Sequence, residues 1–394
     1  MKKNYLFTPG PTMVPQEVLL AEATPLIHHR TAAFSAIMEE AARGLKVLFG
    51  TEQDVYMITG SGTAAMEAAV ANVCSPGDKV LFAGGGKFAE RWGELAHAFR
   101  CNVVEIPVEW GKSLTVEQVR AALKAHPDAR ALYITQSETS TGALTDVQAV
   151  AALTRKTNVL LGVDSITGIG VHPFKFDEWG VDIAVSGSQK GCMTPPGLSF
   201  IAVSPRTWKA VEACTSPRYY LDLAAMKKSW SRTTTPFTAA VSLIRGLRTA
   251  LQMIQEEGLD QVHARHARLA GAVRAAVKAL GLRLVAEHPI NGVTAVWGPE
   301  GMDTEKLIKL LASKYGVTIA EGQDDLKGKV FRIGHMGYVG DADMLVAIGS
   351  LERALKELGY RFDFGAGVRA AMTALGDTVN GEGSETQINA DLHR

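Results

Sequence analysis

Several short segments place a reactive side chain where an apolar run breaks. In Ser186-Gly-Ser-Gln-Lys190-Gly-Cys-Met-Thr-Pro-Pro-Gly197 a lysine leaves a β-branched run through a Gly/Ser turn, and a Pro-Pro-Gly break follows. An average lysine is a solvated surface charge. These flanks instead hold Lys190 near the end of a core strand. Burial beside a cationic imine depresses a lysine pKa, and the neutral amine can then attack an aldehyde to form a Schiff base. In Val159-Leu-Leu-Gly-Val-Asp164-Ser165 a carboxylate ends an apolar run 26 residues before Lys190. Taken alone, Asp164 is either a turn or N-cap residue or an ion-pair partner for a protonated pyridine nitrogen. The second role suits pyridoxal phosphate (PLP), whose ring must stay an electron sink for a carbanion at the substrate Cα.

Three further segments are weaker when read singly. Thr59-Gly-Ser-Gly-Thr63 lies between a strand and an Ala-rich helical pattern. Small residues there let the backbone approach a phosphate, and a helix N-terminus offers free N–H groups. The segment is neither a complete dinucleotide fingerprint, since position 65 is Ala, nor an NTPase P-loop. Phe88, in Gly84-Gly-Gly-Lys-Phe88, either stacks on a planar cofactor or packs under a helix. Arg332, in Phe331-Arg-Ile-Gly-His335-Met-Gly337, sits in an apolar run and needs an anion, either an internal carboxylate or that of a substrate.

The elements that must position these residues read as α/β. Strand-like runs at 55–59, 79–83, 103–106, 131–135, 159–164, 182–186 and 198–203 alternate with helical patterns such as 63–73, 116–124 and 147–156. Continuous apolar runs, rather than strict alternation, predict a mostly parallel sheet covered on both faces. In such sheets ligands bind at the carboxyl ends of the strands. Thr235-Pro236 predicts the start of a long helix, with Val241, Ile244, Leu247, Leu251 and Ile254 as its apolar stripe and Gly258 at its end. Beyond it the texture becomes α+β. The division expected is an arm over 1–15, a large domain over 16–260 and a small domain over 261–394, with a polar tail from Gly376.

Composition narrows the function classes. Acidic and basic residues balance at 41 each, so nothing points to nucleic acid or an anionic membrane. No run of 18 apolar residues and no signal-peptide pattern is present, and Cys74, Cys101, Cys192 and Cys214 have no metal-ligand spacing. These features predict a cytoplasmic protein without a metal site.

Taken in order, Pro9-Gly-Pro-Thr12, Gln136-Ser-Glu-Thr-Ser-Thr-Gly142, Val163-Asp-Ser165, Ser186–Pro196 and Arg332-Ile-Gly resemble the class V aminotransferases of PLP fold type I, over roughly residues 5 to 360. Within that class the alanine–glyoxylate and serine–glyoxylate group is the nearest likeness. The resemblance implies a large domain built on a seven-stranded sheet, a smaller C-terminal α+β domain and a homodimer with shared active sites. It implies that Lys190 carries PLP and moves the proton, and that Asp164 faces the ring nitrogen. Phe88 would stack on the ring and Thr139 would contact it. Ser61, Gly62, Thr63 and Gln189 would lie at the phosphate, with Thr234 reaching it from across the dimer. Arg332 would hold the substrate α-carboxylate. Two positions depart from the family: Ser231 stands beside Trp230 where a Tyr is common, and His28-His29-Arg30 differs from several relatives. His29 and its neighbours either line the substrate pocket or serve a dimer contact. The tight segment around Pro9 and Gly10 favours small substrates, so the implied reaction runs by a ping-pong route from alanine or serine to glyoxylate or pyruvate. A larger donor such as pyridoxamine, or a lyase or cysteine desulfurase on the same fold, is the alternative.

Overall fold

A computed structural model describes residues 3–376. Apart from Gly376, the polar tail noted above lies outside the described residues. Seven strands form the central sheet: β1 (Val55–Thr59), β2 (Lys79–Ala83), β3 (Asn102–Ile106), β4 (Ala131–Thr135), β5 (Leu160–Asp164), β6 (Ile183–Gly187) and β7 (Leu198–Val203). Their spatial order is β1-β7-β6-β5-β4-β2-β3. β7 runs antiparallel to both neighbours, and all other pairs are parallel.

Why these runs are continuously apolar is visible in the packing. Leu81, Leu132, Leu161 and Phe200 enter one hydrophobic cluster, while Val80, Tyr133, Leu160 and Ile201 enter another. Successive side chains on a strand point to opposite faces, so a sheet buried on both faces needs apolar residues at every position. Helix α1 (Gly62–Ala71) leaves β1, and helix α2 (Lys87–Ala98) leaves β2. Under α2, Trp92 stacks on Tyr133 with ring centroids 4.4 Å apart.

The long helix α3 spans Val241–Glu257 and buries Ile244, Leu247, Leu251 and Ile254. Its start corrects the sequence reading. Thr235 and Pro236 lie in a loop, and the Thr235 hydroxyl donates to Phe237 O at 2.6 Å instead of capping a helix. The reason is Arg30, whose guanidinium donates to Thr235 O at 2.6 Å and to Pro236 O and Phe237 O at 3.4 Å. Carbonyls gathered around one cation cannot line up along a helix axis.

Helix α4 (Leu259–Ala279) then leads into an antiparallel sheet of β8 (Arg283–Leu284), β9 (Val293–Trp297), β10 (Ala320–Glu321) and β11 (Val330–Gly334), ordered β8-β9-β11-β10. Helices α5 (Asp341–Glu357) and α6 (Ala366–Leu375) complete this layer. The N-terminal segment is tied to it: Tyr5–Leu6 pairs in parallel with Val317–Thr318, and Phe7 is buried in the C-terminal cluster. Among the described residues no helix is long and apolar enough to cross a membrane.

Candidate active site

The ends of β4, β5 and β6 lie side by side, with Thr135 opposite Asp164 and Asp164 opposite Val185. The loops leaving them therefore meet at one sheet edge. They carry Gln136–Gly142, Ser165–Val171 and Ser188–Gly197. The Gly60–Gly62 turn joins this edge, because a Cβ on Gly62 would collide with Ile166 and a Cβ on Gly187 would touch Gly62 Cα.

Lys190 is held by the N-terminal arm. Its Nζ donates to Pro9 O at 2.6 Å. Gly10 has φ +126°, and a Cβ there would overlap Nζ, so the close approach requires glycine. Burial drives the Lys190 pKa down to about 8; Asp164 opposes this shift and Arg332 adds to it. An amine near 8 keeps an appreciable neutral fraction at neutral pH.

Asp164 is buried, and its Oδ1 accepts from Ile166 N at 2.8 Å. Burial pushes its pKa up to about 7; the Ile166 N–H opposes this, Glu138 adds to it, and Arg91 and Lys190 act against it. No cation stands within ion-pair distance of Asp164 among the described residues. A protonated ring nitrogen would supply the missing charge.

Arg332 on β11 is also buried and also lacks an ionic partner. Its Nε donates to Glu321 O and one terminal nitrogen to Thr139 O, each at 2.9 Å. No internal salt bridge forms at this residue among the described ones. Burial lowers its pKa to about 10, with Glu138 and Glu321 opposing the shift. A buried guanidinium satisfied only by neutral carbonyls remains a site for an anion.

Thr139 Oγ1 lies 2.9 Å from Thr167 Oγ1, in the loop that follows Asp164. Phe88 is the second residue of α2, and the Arg91 guanidinium lies over its ring at 5.1 Å while donating to Thr63 Oγ1 at 3.2 Å. Ser61 precedes α1 without capping it through its side chain. Gln189 Oε1 is buried without a hydrogen-bond partner. N–H groups without a side-chain cap beside a glycine turn fit the phosphate end of PLP, and a buried carboxylate without an ionic partner fits its ring nitrogen.

Within this single chain, two other predicted residues contact neighbouring segments. Thr234 Oγ1 accepts from Arg30, and the His29 ring packs against His28 with centroids 4.6 Å apart. Two others went unnoticed in the sequence. Glu138 is a buried acid that accepts from Ala89 N at 2.9 Å and from Ser140 Oγ at 2.6 Å. Arg91 follows Phe88 by three residues, the helical spacing that puts two side chains on one face. That spacing was the available signal for Arg91. For Glu138 the signal was an acid set among small hydroxyl residues in Gln136–Gly142. No group of three or more His, Cys, Asp or Glu side chains is arranged to hold a metal ion among the described residues.

Known proteins share this chain's sequence and shape. It is 44% identical over 379 residues to a Synechococcus protein called the soluble hydrogenase small subunit, covering 95% of this chain and 98% of that one. It is 39% identical to the L-aspartate–glyoxylate aminotransferase of Paracoccus denitrificans, covering 94% and 95%. The crystal structure of alanine–glyoxylate aminotransferase from Nostoc sp. superposes with a TM-score of 0.87 at 33% identity, covering 90% and 96%. The seven-stranded α/β architecture is thus that of PLP fold type I. The sequence profile described as Aminotransferase class-V matches residues 4–332, and with these similarities it makes this chain a member of the class-V aminotransferase family.

Proposed function

We propose that the protein is a PLP-dependent transaminase that moves an amino group from a small amino acid, alanine or serine, to glyoxylate or pyruvate. The observation that carries this reading is Lys190. Burial lowers its amine, which feels both the Asp164 carboxylate and the Arg332 guanidinium, neither of which has an ionic partner among the described residues. Bound at this edge, PLP supplies an electron-withdrawing ring that stabilises negative charge at the substrate Cα.

The chain's own residues do the rest. Asp164 holds its negative charge against the ring nitrogen. Arg332 grips the substrate α-carboxylate, and the backbone oxygens of Thr139 and Glu321 keep its fork oriented. Lys190 Nζ takes the Cα proton as a base and later returns it. Pro9 O holds the amine when it is free. Because donor and acceptor occupy the same pocket in turn, the kinetics are ping-pong. Residues 16–260 bind the cofactor, and 261–394 contribute Arg332.

Arg30 supports a donor without a second carboxylate, since its guanidinium is committed to the 234–237 loop. A desulfurase would need a reactive thiol. Cys192, two residues after Lys190, is fully buried and its pKa is pushed up to about 12. Homodimer formation is supported by the exposure of Leu20, Leu26 and Tyr219, at 60%, 71% and 81%. Four unpaired cysteines support a cytoplasmic location.

The test is the absorption spectrum of the purified protein with PLP. Alanine or serine is expected to shift the visible band to shorter wavelength, and glyoxylate or pyruvate to restore it. Aspartate is expected to act more slowly. A band unmoved by any small amino acid points to a larger donor or a lyase, and no band at all overturns the reading.

A further inference from the structure

Helix α2 begins after Gly86, which has no side chain to cap it. Its first N–H groups are nevertheless met by another part of the chain. Ala89 N donates to Glu138 Oε2 at 2.9 Å, Phe88 N to Glu138 Oε1 at 3.4 Å, and Lys87 N to Ser140 Oγ at 3.2 Å. Ser140 completes the knot, donating to Glu138 Oε1 from its backbone N at 2.9 Å and from its hydroxyl at 2.6 Å. A carboxylate at a helix N-terminus is favourable by both hydrogen bonding and the helix dipole. Glu138 is buried, and no Lys or Arg pairs with it among the described residues, so these donors are what make its charge tolerable.

A cap alone would be supplied more simply by Ser or Asp at position 86. That option is closed, because a Cβ on Gly86 would overlap the Glu138 side chain and the Ser140 hydroxyl. The cap comes instead from the loop whose next residue, Thr139, receives Arg332 through its carbonyl and Thr167 through its hydroxyl. Residues 138–140 therefore connect the helix carrying Phe88, the strand carrying Arg332 and the loop following Asp164.

We infer that Glu138 is a positioning residue that sets the Phe88 ring over the cofactor in register with the Arg332 guanidinium. This rests on the reading of Phe88 as the stacking residue. Glu138 acts through the first turn of α2.

The experiment titrates apo-protein with PLP and follows visible circular dichroism, which reports how rigidly the ring is held. Wild type, Phe88→Ala, Glu138→Ala, Glu138→Gln and the Phe88→Ala/Glu138→Ala double variant are compared. Glu138→Ala is expected to weaken PLP binding roughly tenfold and to lower the ellipticity per bound PLP. The double variant is expected to match Phe88→Ala, because both changes remove the same held ring. Glu138→Gln keeps the shape and one acceptor, so it should fall between wild type and Glu138→Ala, and it stands in for Glu138→Ala should that protein not fold. Wild-type binding and ellipticity in the folded Glu138 variants, with both lost in Phe88→Ala, would overturn the role of Glu138 and leave the stacking reading intact. Additive losses in the double variant would also overturn it, since a purely structural defect is independent of Phe88. Wild-type behaviour of Phe88→Ala would overturn the stacking reading and this inference together.

Discussion

Lys190 and Asp164 titrate near one another, and the sign of each shift predicts how the apo-protein takes up PLP. Burial lowers the Lys190 pKa to about 8, so the neutral amine increases as pH rises through that value. Asp164, raised to about 7, becomes ionised over a neighbouring range. The rate at which apo-protein develops the visible band should therefore climb between about pH 6 and 9 and then level off. Arg332 helps hold the lysine down. Arg332→Met removes that cation, so the climb should move to higher pH. Stopped-flow absorbance across pH checks both statements, and an unmoved profile in Arg332→Met would show that the two groups do not communicate.

At the scale of elements, the 231–240 loop is held at residues 234–237 by Arg30 and at Thr233 by Ser35 and Glu39. Arg30 donates to Thr234 Oγ1 and to three successive carbonyls of residues 235–237. Thr233 sits at φ +48°, which a β-branched residue adopts only when its surroundings impose it. Arg30→Ala removes those donors. Amide hydrogen exchange in 231–240 should accelerate while β5 and β6 stay protected, at a cost to global stability of roughly 1–3 kcal/mol. Unchanged exchange would mean that Ser35, Glu39 and packing hold the loop without Arg30. The same element explains why α3 starts at Val241 and not at Thr235-Pro236. A Thr-Pro pair carries a helix-start signal, but the carbonyls around it are claimed by a residue two hundred positions away.

Across the whole molecule, two buried histidines anchor the segment that follows the strand bearing Arg332: His266 ties it to α4, and His335 ties it to β9. His266 Nε2 accepts from Gly337 N at 3.0 Å, which places its proton on Nδ1, 2.7 Å from Val262 O. His335 Nε2 lies 2.8 Å from Thr294 Oγ1, and its Nδ1 lies 2.9 Å from Asn291 O. Burial lowers both pKa values to about 3. An unfolded histidine titrates near 6.5, so the unfolded chain binds more protons below that pH. Stability is then full above about 6.5 and is lost as pH falls toward 3. Thermal midpoints should drop steadily over that window, and His266→Gln should flatten the slope even if it lowers the midpoint at pH 7. An equal slope in that variant would place the acid sensitivity elsewhere.

Much of this was legible in the chain alone. β1, β2, β4 and β7 occupy the residues their apolar runs predict, because a doubly covered sheet writes its burial into every position. Lys190, Asp164 and Arg332 stood out because each interrupts such a run, and an ionisable group at the end of a core strand needs a reason to be there. Only the tertiary structure brought those three together. It alone revealed that Arg332 lacks an acid, since a partner absent in space leaves no trace in spacing. Glu138 went unnoticed for the same reason. Ser140 is a local donor within the same hydroxyl-rich segment, but the N–H groups that Glu138 caps lie about fifty residues earlier, at the start of α2, and local pattern does not say which distant N–H groups a buried carboxylate will meet.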